Sequence, residues 1–243
     1  MDISQKTIGI IGFGNFGKVL INNIFPNNKI ILVTTQNVQS SEHITVTKNI
    51  EDIKSADIII PAVPIRNFAE TIKKIAQFIN PQTIVMDICS VMEYPAKIMQ
   101  EDLSNNPLIA THPMFGPNSI AKKGSMKDMN YVVHNISTQN DFYESFKKYL
   151  KTLEVNVIEI TPKEHDRLSA KSQFVTLLVG EITQQLQFEK TIVDTPGAQA
   201  LQHAVSFSGA DRHIIEDMLT YNIFCRPILE ELKKVLNNLE EQK

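Results

Sequence analysis

The run Gly12-Phe13-Gly14-Asn15-Phe16-Gly17 constrains this chain more than any other feature. It follows a β-branched, apolar stretch at residues 7–11. It opens a segment in which Phe16, Val19, Leu20 and Ile24 recur at three- and four-residue spacing, ending before Pro26. Strand, glycine turn and helix in that order are the context that gives G-x-G-x-x-G its meaning. The first glycine allows the tight turn, the second lets a pyrophosphate approach the backbone, and the third lets helix and strand pack closely. The helix amino terminus then offers N–H groups and partial positive charge to phosphate. A dinucleotide site built by Gly12, Phe13, Gly14, Asn15, Phe16 and Gly17 is expected. A glycine-rich turn with no ligand is the alternative, and the flanking strand and helix weigh against it.

The same alternation continues. Short apolar runs at 30–33, 57–60, 83–88, 108–111, 131–134 and 155–160 read as strands. Between two of them Phe68, Ile72, Ile75, Ala76 and Ile79 form a helical stripe stopped by Pro81. Strands separated by helices imply parallel pairing with right-handed crossovers. At Thr161-Pro162-Lys163-Glu164 the pattern changes to a capping box with proline at the first helical position. Leu168, Val175, Leu178, Val179, Ile182 and Leu186 then mark a long helix. Turn residues at 194–197 break it, and two or three more helices follow, the last from near Pro227. The expected architecture is α/β. A Rossmann-type, doubly wound, mostly parallel sheet binds a dinucleotide (residues 1–160), and a smaller all-helical domain serves substrate and dimerisation (161–243). About 80 helical residues make a marginal independent core, so a homodimer through that domain is expected.

Composition excludes several classes. Apolar residues make up 42% and charged residues 21%, which suits a folded chain rather than a disordered one. Lys plus Arg number 24 and Asp plus Glu 27, a net charge of −3 with no basic block, so nucleic acid is not an expected partner. The polar first six residues do not suit a signal peptide. The longest apolar run, 58–65, is far short of the ~20 residues that span a bilayer, so no membrane association is expected. Cys89 and Cys225 form neither a disulfide framework nor a zinc pattern, which points to the reducing cytoplasm.

About 20 residues beyond the glycines, an NAD site usually carries an acid for the ribose diol. Here Val33-Thr34-Thr35-Gln36-Asn37 has no acid and no arginine. The hydroxyls of Thr34 and Thr35 and the amide of Gln36 suit NADP or NAD. With no acid to repel a 2′-phosphate, NADP is preferred. Ala62, Val63 and Pro64, beyond the strand at 57–60, complete the expected cofactor contacts. Ligands in open α/β sheets bind beyond the carboxyl ends of the strands, and two polar residues fall there. Ser90 follows the strand ending at 88, and His112 follows the strand ending at 111.

His112-Pro113-Met114-Phe115-Gly116-Pro117 resembles the signature of the prephenate/arogenate dehydrogenases. Asp87-Ile88-Cys89-Ser90-Val91 is similar to that family's serine segment. Glu164-His165-Asp166 through Ser172-Gln173-Phe174-Val175-Thr176 is similar to its E-H-D…S-Q-F helix. Asp194-Thr195 and Ser208-Gly209…Tyr221-Asn222 resemble later segments, most closely those of plant-type arogenate enzymes. The resemblance implies oxidative decarboxylation of a cyclohexadienol in tyrosine biosynthesis, with hydride passing to NAD(P) and no metal required. Arogenate would give tyrosine; prephenate would give 4-hydroxyphenylpyruvate.

It further implies that His112 accepts the ring-hydroxyl proton and that Ser90 bonds both His112 and that hydroxyl. A neutral imidazole, with an ordinary pKa of about 6.5, suits this task. Gln173 is a further candidate substrate ligand, and Arg212 and Lys171 are candidate carboxylate partners. Leu177 stands where the family commonly has a substrate-binding histidine. His165 beside Asp166 reads as structural, tying its helix to the sheet, and Met114 and Phe115 read as packing residues. Two rivals are another NAD(P)-dependent hydroxy-acid or imine oxidoreductase and a catalytically inactive dinucleotide-binding homologue.

Overall fold

In a computed structural model, which describes residues 2–208 and 212–241, the chain divides into two compact units, Met1–Pro162 and Lys163–Lys243. The first carries one eight-stranded sheet. Its elements are β1 (Thr7–Ile11), α1 (Asn15–Val19), β2 (Lys29–Val33), β3 (Ile44–Thr47), β4 (Ile58–Pro61), α2 (Phe68–Ile75), β5 (Ile84–Met86), α3 (Glu93–Asp102), β6 (Leu108–Pro113), α4 (Pro117–Lys123), β7 (Asn130–Asn135), α5 (Asn140–Thr152) and β8 (Asn156–Glu159). The strand order is β3-β2-β1-β4-β5-β6-β7-β8. The order reverses direction between β1 and β4, which makes that gap the topological switch point.

β1, β2, β4 and β5 are near-continuous Ile, Leu and Val because both faces of the sheet are covered. On one face Ile8, Ile10, Ile58 and Ile60 pack with Val19, Leu20, Ile24, Phe142 and Phe146. Each such burial is worth about 1.5–3 kcal/mol against exposure. On the other face Met92 and Ala96 of the α3 region pack with Ala110 and Val132.

Several elements differ from the sequence reading. The first helix changes to a π-helical turn at Leu20–Ile24, closed by Phe25 N–H donating to Leu20 O at 2.7 Å. β3 has no counterpart among the expected strands. It is an edge strand whose Ile-Thr-Val-Thr alternation leaves no residue fully buried. β7 runs antiparallel to β6, and β8 runs parallel to β7, so both oppose the other strands. The connection holds only the short α4, which fully buries none of its residues and sets Ile120 partly against the core, where a parallel crossover usually carries a longer helix across the sheet. α3, α4 and α5 also had no sequence counterpart.

The second unit is all helix: α6 (Pro162–Lys171), α7 (Gln173–Gln185), α8 (Pro196–Ser208), α9 (Arg212–Tyr221) and α10 (Cys225–Glu241). The expected long helix is two helices, α6 and α7. Ser172, at φ −114° and ψ −77°, interrupts them, and its hydroxyl donates back to Leu168 O at 3.0 Å. That local bond competes with the helical ladder. Among the described residues, no helix is long and apolar enough to cross a membrane.

Candidate active site

The glycine turn is packed onto the switch point. Gly12 sits at φ +105°, and its N–H donates to Val33 O at 2.9 Å. A β-carbon on Gly12 would stand 2.4 Å from the Ala62 carbonyl oxygen, and one on Gly17 would stand 2.6 Å from Gly12 O. Both positions therefore require glycine. Gly14 differs: a β-carbon there would meet nothing within 4 Å. Gly14 also caps α1 without any side-chain hydrogen bond to the helix. Open space over an uncapped helix start is what a pyrophosphate needs, so these residues fit a dinucleotide.

The neighbouring loops meet this turn. Ala62 N–H donates to Ile11 O at 2.8 Å, holding Ala62, Val63 and Pro64 beside β1. At the end of β2, Thr34 is buried, and its hydroxyl accepts Gln36 N–H at 3.1 Å. The Gln36 amide donates to Phe13 O at 3.2 Å, so the β2 loop closes onto the glycine loop. Thr35 is exposed. Phe16, of the helix start, packs against Phe115, with ring centroids 6.5 Å apart. The glycine motif and the histidine motif are thus in direct contact, and Phe115 is the packing residue the sequence suggested.

His112 does not follow its strand but lies inside it. It is the penultimate residue of β6, paired with Val132 and 4% exposed. Strand alternation puts it on the face of Ala110 and Val132, which pack with Met92. Met92 is two residues beyond Ser90, so the Ser90 loop leads into the cluster that flanks His112. Ser90 itself is half-buried in the bend before α3.

One residue that sequence reasoning passed over joins these loops. Asp87 is fully buried at the end of β5. Its Oδ1 accepts Thr111 N–H at 2.9 Å and its Oδ2 accepts Cys89 N–H at 3.2 Å. The Thr111 hydroxyl donates to the Asp87 carbonyl. Tyr131, on β7, shares a hydrogen bond with Thr111. Burial pushes its phenol far above the ordinary range, the Thr111 bond opposes that, and the Asp87 charge adds to it.

In the helical unit, Gln173 is the first residue of α7. Its Oε1 is buried without a hydrogen-bond partner among the described residues. Leu177, one turn later, is buried. Lys171 is exposed at the end of α6. Arg212 opens α9, but its side chain, like Gly209, lies outside what is described. His165 Nδ1 lies 2.8 Å from Asp166 Oδ1, both buried. The Asn222 amide donates to Asp166 O at 2.9 Å. The Asp166–Asn222 bond ties α6 to the turn after α9. A further missed feature is Cys225, whose thiol burial, with the Asp166 charge, pushes up to about 12.

Comparison with known proteins agrees with this geometry. Residues 20–159 match the family model described as prephenate dehydrogenase, nucleotide-binding domain. Arogenate dehydrogenase 1, chloroplastic, of Arabidopsis thaliana is 26% identical over 99% of this chain. A probable arogenate/prephenate dehydrogenase of Methanocaldococcus jannaschii is 29% identical over 72% of it. The alignments cover 40% and 41% of those relatives' own lengths. The fold matches prephenate dehydrogenase from A. aeolicus, solved in complex with hydroxyphenyl propionate and NAD+. The TM-score is 0.72 at 18% identity, covering 99% of this chain and 91% of that one.

Proposed function

Because the chain belongs to the family of the prephenate dehydrogenase nucleotide-binding domain, we propose that it catalyses NAD(P)-dependent oxidative decarboxylation of a cyclohexadienol. The observation that carries this is the delivery of Gly12, Ala62, Ser90 and His112 to one edge of the sheet, from the neighbouring strands β1, β4, β5 and β6. Bound NADP or NAD supplies the hydride acceptor. The protein must hold the substrate ring in register and take one proton. His112 accepts the ring-hydroxyl proton as neutral imidazole, and Ser90 hydrogen-bonds His112 and the hydroxyl. Loss of the ring carboxylate as CO₂ makes the ring aromatic, so the chemistry runs downhill without a Lewis acid.

Arogenate is the preferred substrate in this reading. Arogenate carries a side-chain ammonium where prephenate carries a keto group. The buried, unpartnered Oε1 of Gln173 is an acceptor, which an ammonium satisfies and a keto oxygen does not. Arg212 is the proposed partner of a substrate carboxylate. NADP is preferred because the exposed Thr35 and Gln36 are uncharged and residues 33–37 include no acid. The helical unit is proposed to form a homodimer, since Leu186, Ile192, Val193, Leu236 and Leu239 are exposed apolar groups. The two free, buried cysteines suit a reducing, cytoplasmic setting.

Purified protein assayed with each pairing of arogenate or prephenate with NADP or NAD tests the reading. Cofactor reduction, fastest with arogenate and NADP, is expected. Nucleotide binding without turnover on either compound would favour an inactive homologue. Sedimentation at several concentrations tests the dimer, and a concentration-independent monomer contradicts it.

A further inference from the structure

The β5–β6 ladder ends early. Its register runs only through Val85↔Leu108 and Met86↔Ile109, while β6 continues to Pro113. Beyond Met86 the chain turns away, and the next inward N–H of β6, that of Thr111, has lost its backbone partner. The Asp87 side chain takes that place. Its Oδ1 accepts the Thr111 N–H, its Oδ2 accepts the Cys89 N–H, and its carbonyl accepts the Thr111 hydroxyl. Thr111 immediately precedes His112, and Cys89 immediately precedes Ser90. A single fully buried residue therefore fixes the backbone next to both. Buried backbone N–H groups are nearly always paired, so the clamp is also a requirement of the fold at this point.

Resting on the functional reading above, we infer that Asp87 is a positioning residue that sets the placement of Ser90 relative to His112. It acts through backbone bonds and touches neither substrate nor cofactor. Asp87→Asn replaces one acceptor by an NH₂ that faces an N–H, so at least one of the two loops must shift. A misplacement of about 1 Å at reacting groups costs up to roughly 100-fold in rate. Cofactor affinity, set at the glycine turn, is not expected to move.

The test is a double-mutant cycle with a cofactor titration. Asp87→Asn is expected to lower kcat about 10- to 100-fold while the Kd for NADP stays within about threefold. On a His112→Asn background the same change is expected to lower kcat less than about twofold further, because residues acting as a unit are not additive. An undiminished loss on that background, or a single-variant kcat within threefold of wild type, overturns the inference. Should Asp87→Asn fail to fold, Thr111→Val removes the hydroxyl's bonds to the Asp87 carbonyl and to Tyr131, Thr111→Ser restores both, and Tyr131→Phe removes the second alone. A several-fold loss of kcat in Thr111→Val that serine rescues and Tyr131→Phe does not reproduce supports the clamp, and equal activity of the valine and serine variants, or the same loss in Tyr131→Phe, contradicts it. If the wild-type protein turns over neither arogenate nor prephenate, the functional reading fails and hydrogen exchange judges Asp87 alone. In Asp87→Asn the Thr111 and Cys89 amides are expected to exchange at least tenfold faster. Unchanged exchange overturns the clamp.

Discussion

Gly12 lies so close to Ala62 that a β-carbon at position 12 would stand 2.4 Å from the Ala62 carbonyl oxygen, and its φ of +105° disfavours any other residue. Gly14, two residues on, has an ordinary φ of −71° and open space where a side chain would go. The two glycines should therefore fail differently. Gly12→Ala is expected to cost about 1–3 kcal/mol of stability, a fall in melting temperature of roughly 2–12 °C. Gly14→Ala is expected to melt like wild type but bind NADP at least about tenfold more weakly, because the methyl enters the phosphate space. Thermal melts and a nucleotide titration on both variants check this.

In the helical unit, Asn222 is buried, and its amide reaches both Asp166 O, at 2.9 Å, and Ser169 Oγ, at 3.4 Å. Asn222→Ala removes the bonds to the Asp166 carbonyl, which keeps the Ser169 hydroxyl as a donor, and to Ser169 itself, a loss of about 0.5–1.5 kcal/mol. Chemical denaturation should show a lower midpoint with an unchanged slope. An unchanged midpoint would mean that the network is not structural.

The parts that were legible in the sequence are those where one local pattern had one physical meaning. Gly12 and Gly17 are glycine because backbone atoms leave no room, and the strand and helix around them follow from apolar period alone. β3 was missed because its Ile-Thr-Val-Thr run is half-buried at a sheet edge and carries no strong apolar signal. The antiparallel β7 was missed because an apolar run carries no strand direction, and the short α4 between β6 and β7, which fully buries none of its residues, leaves no strong periodic signal of how the chain returns. The break at Ser172 was hidden because α6 and α7 keep one apolar period across it. Asp87 was quoted only as part of a motif, since its partner Thr111 is 24 residues away. No spacing rule links a strand-end carboxylate to an N–H on the next strand.

Stability should depend on pH through His134. Burial holds its pKa below the ordinary 6.5, with the Glu159 charge pulling the other way. As pH falls through about 6.5 the unfolded chain takes up this proton before the folded one does. Stability therefore declines below that pH until the folded imidazole itself protonates. His134→Gln is expected to flatten the slope of melting temperature against pH in that window and leave melting at pH 8 nearly unchanged.

Gln173 offers a substrate-level prediction. If its buried Oε1 accepts from the arogenate ammonium, Gln173→Leu removes a hydrogen bond to a charged group, worth about 1.5–3 kcal/mol. That corresponds to a KM for arogenate raised roughly 10- to 150-fold with kcat little changed. The KM for prephenate should move less. Equal shifts for both substrates would place Gln173 elsewhere than at the amino group.

The most direct test of the central claim is the turnover of arogenate with NADP by wild type and His112→Asn, followed through nicotinamide absorbance under saturating conditions. His112 sits buried at the carboxyl end of β6, and the account makes it the proton acceptor. The expected result is a kcat lower by roughly 10²–10⁴ in the variant, with NADP affinity preserved. A loss below tenfold in a folded, NADP-binding variant would contradict the mechanism.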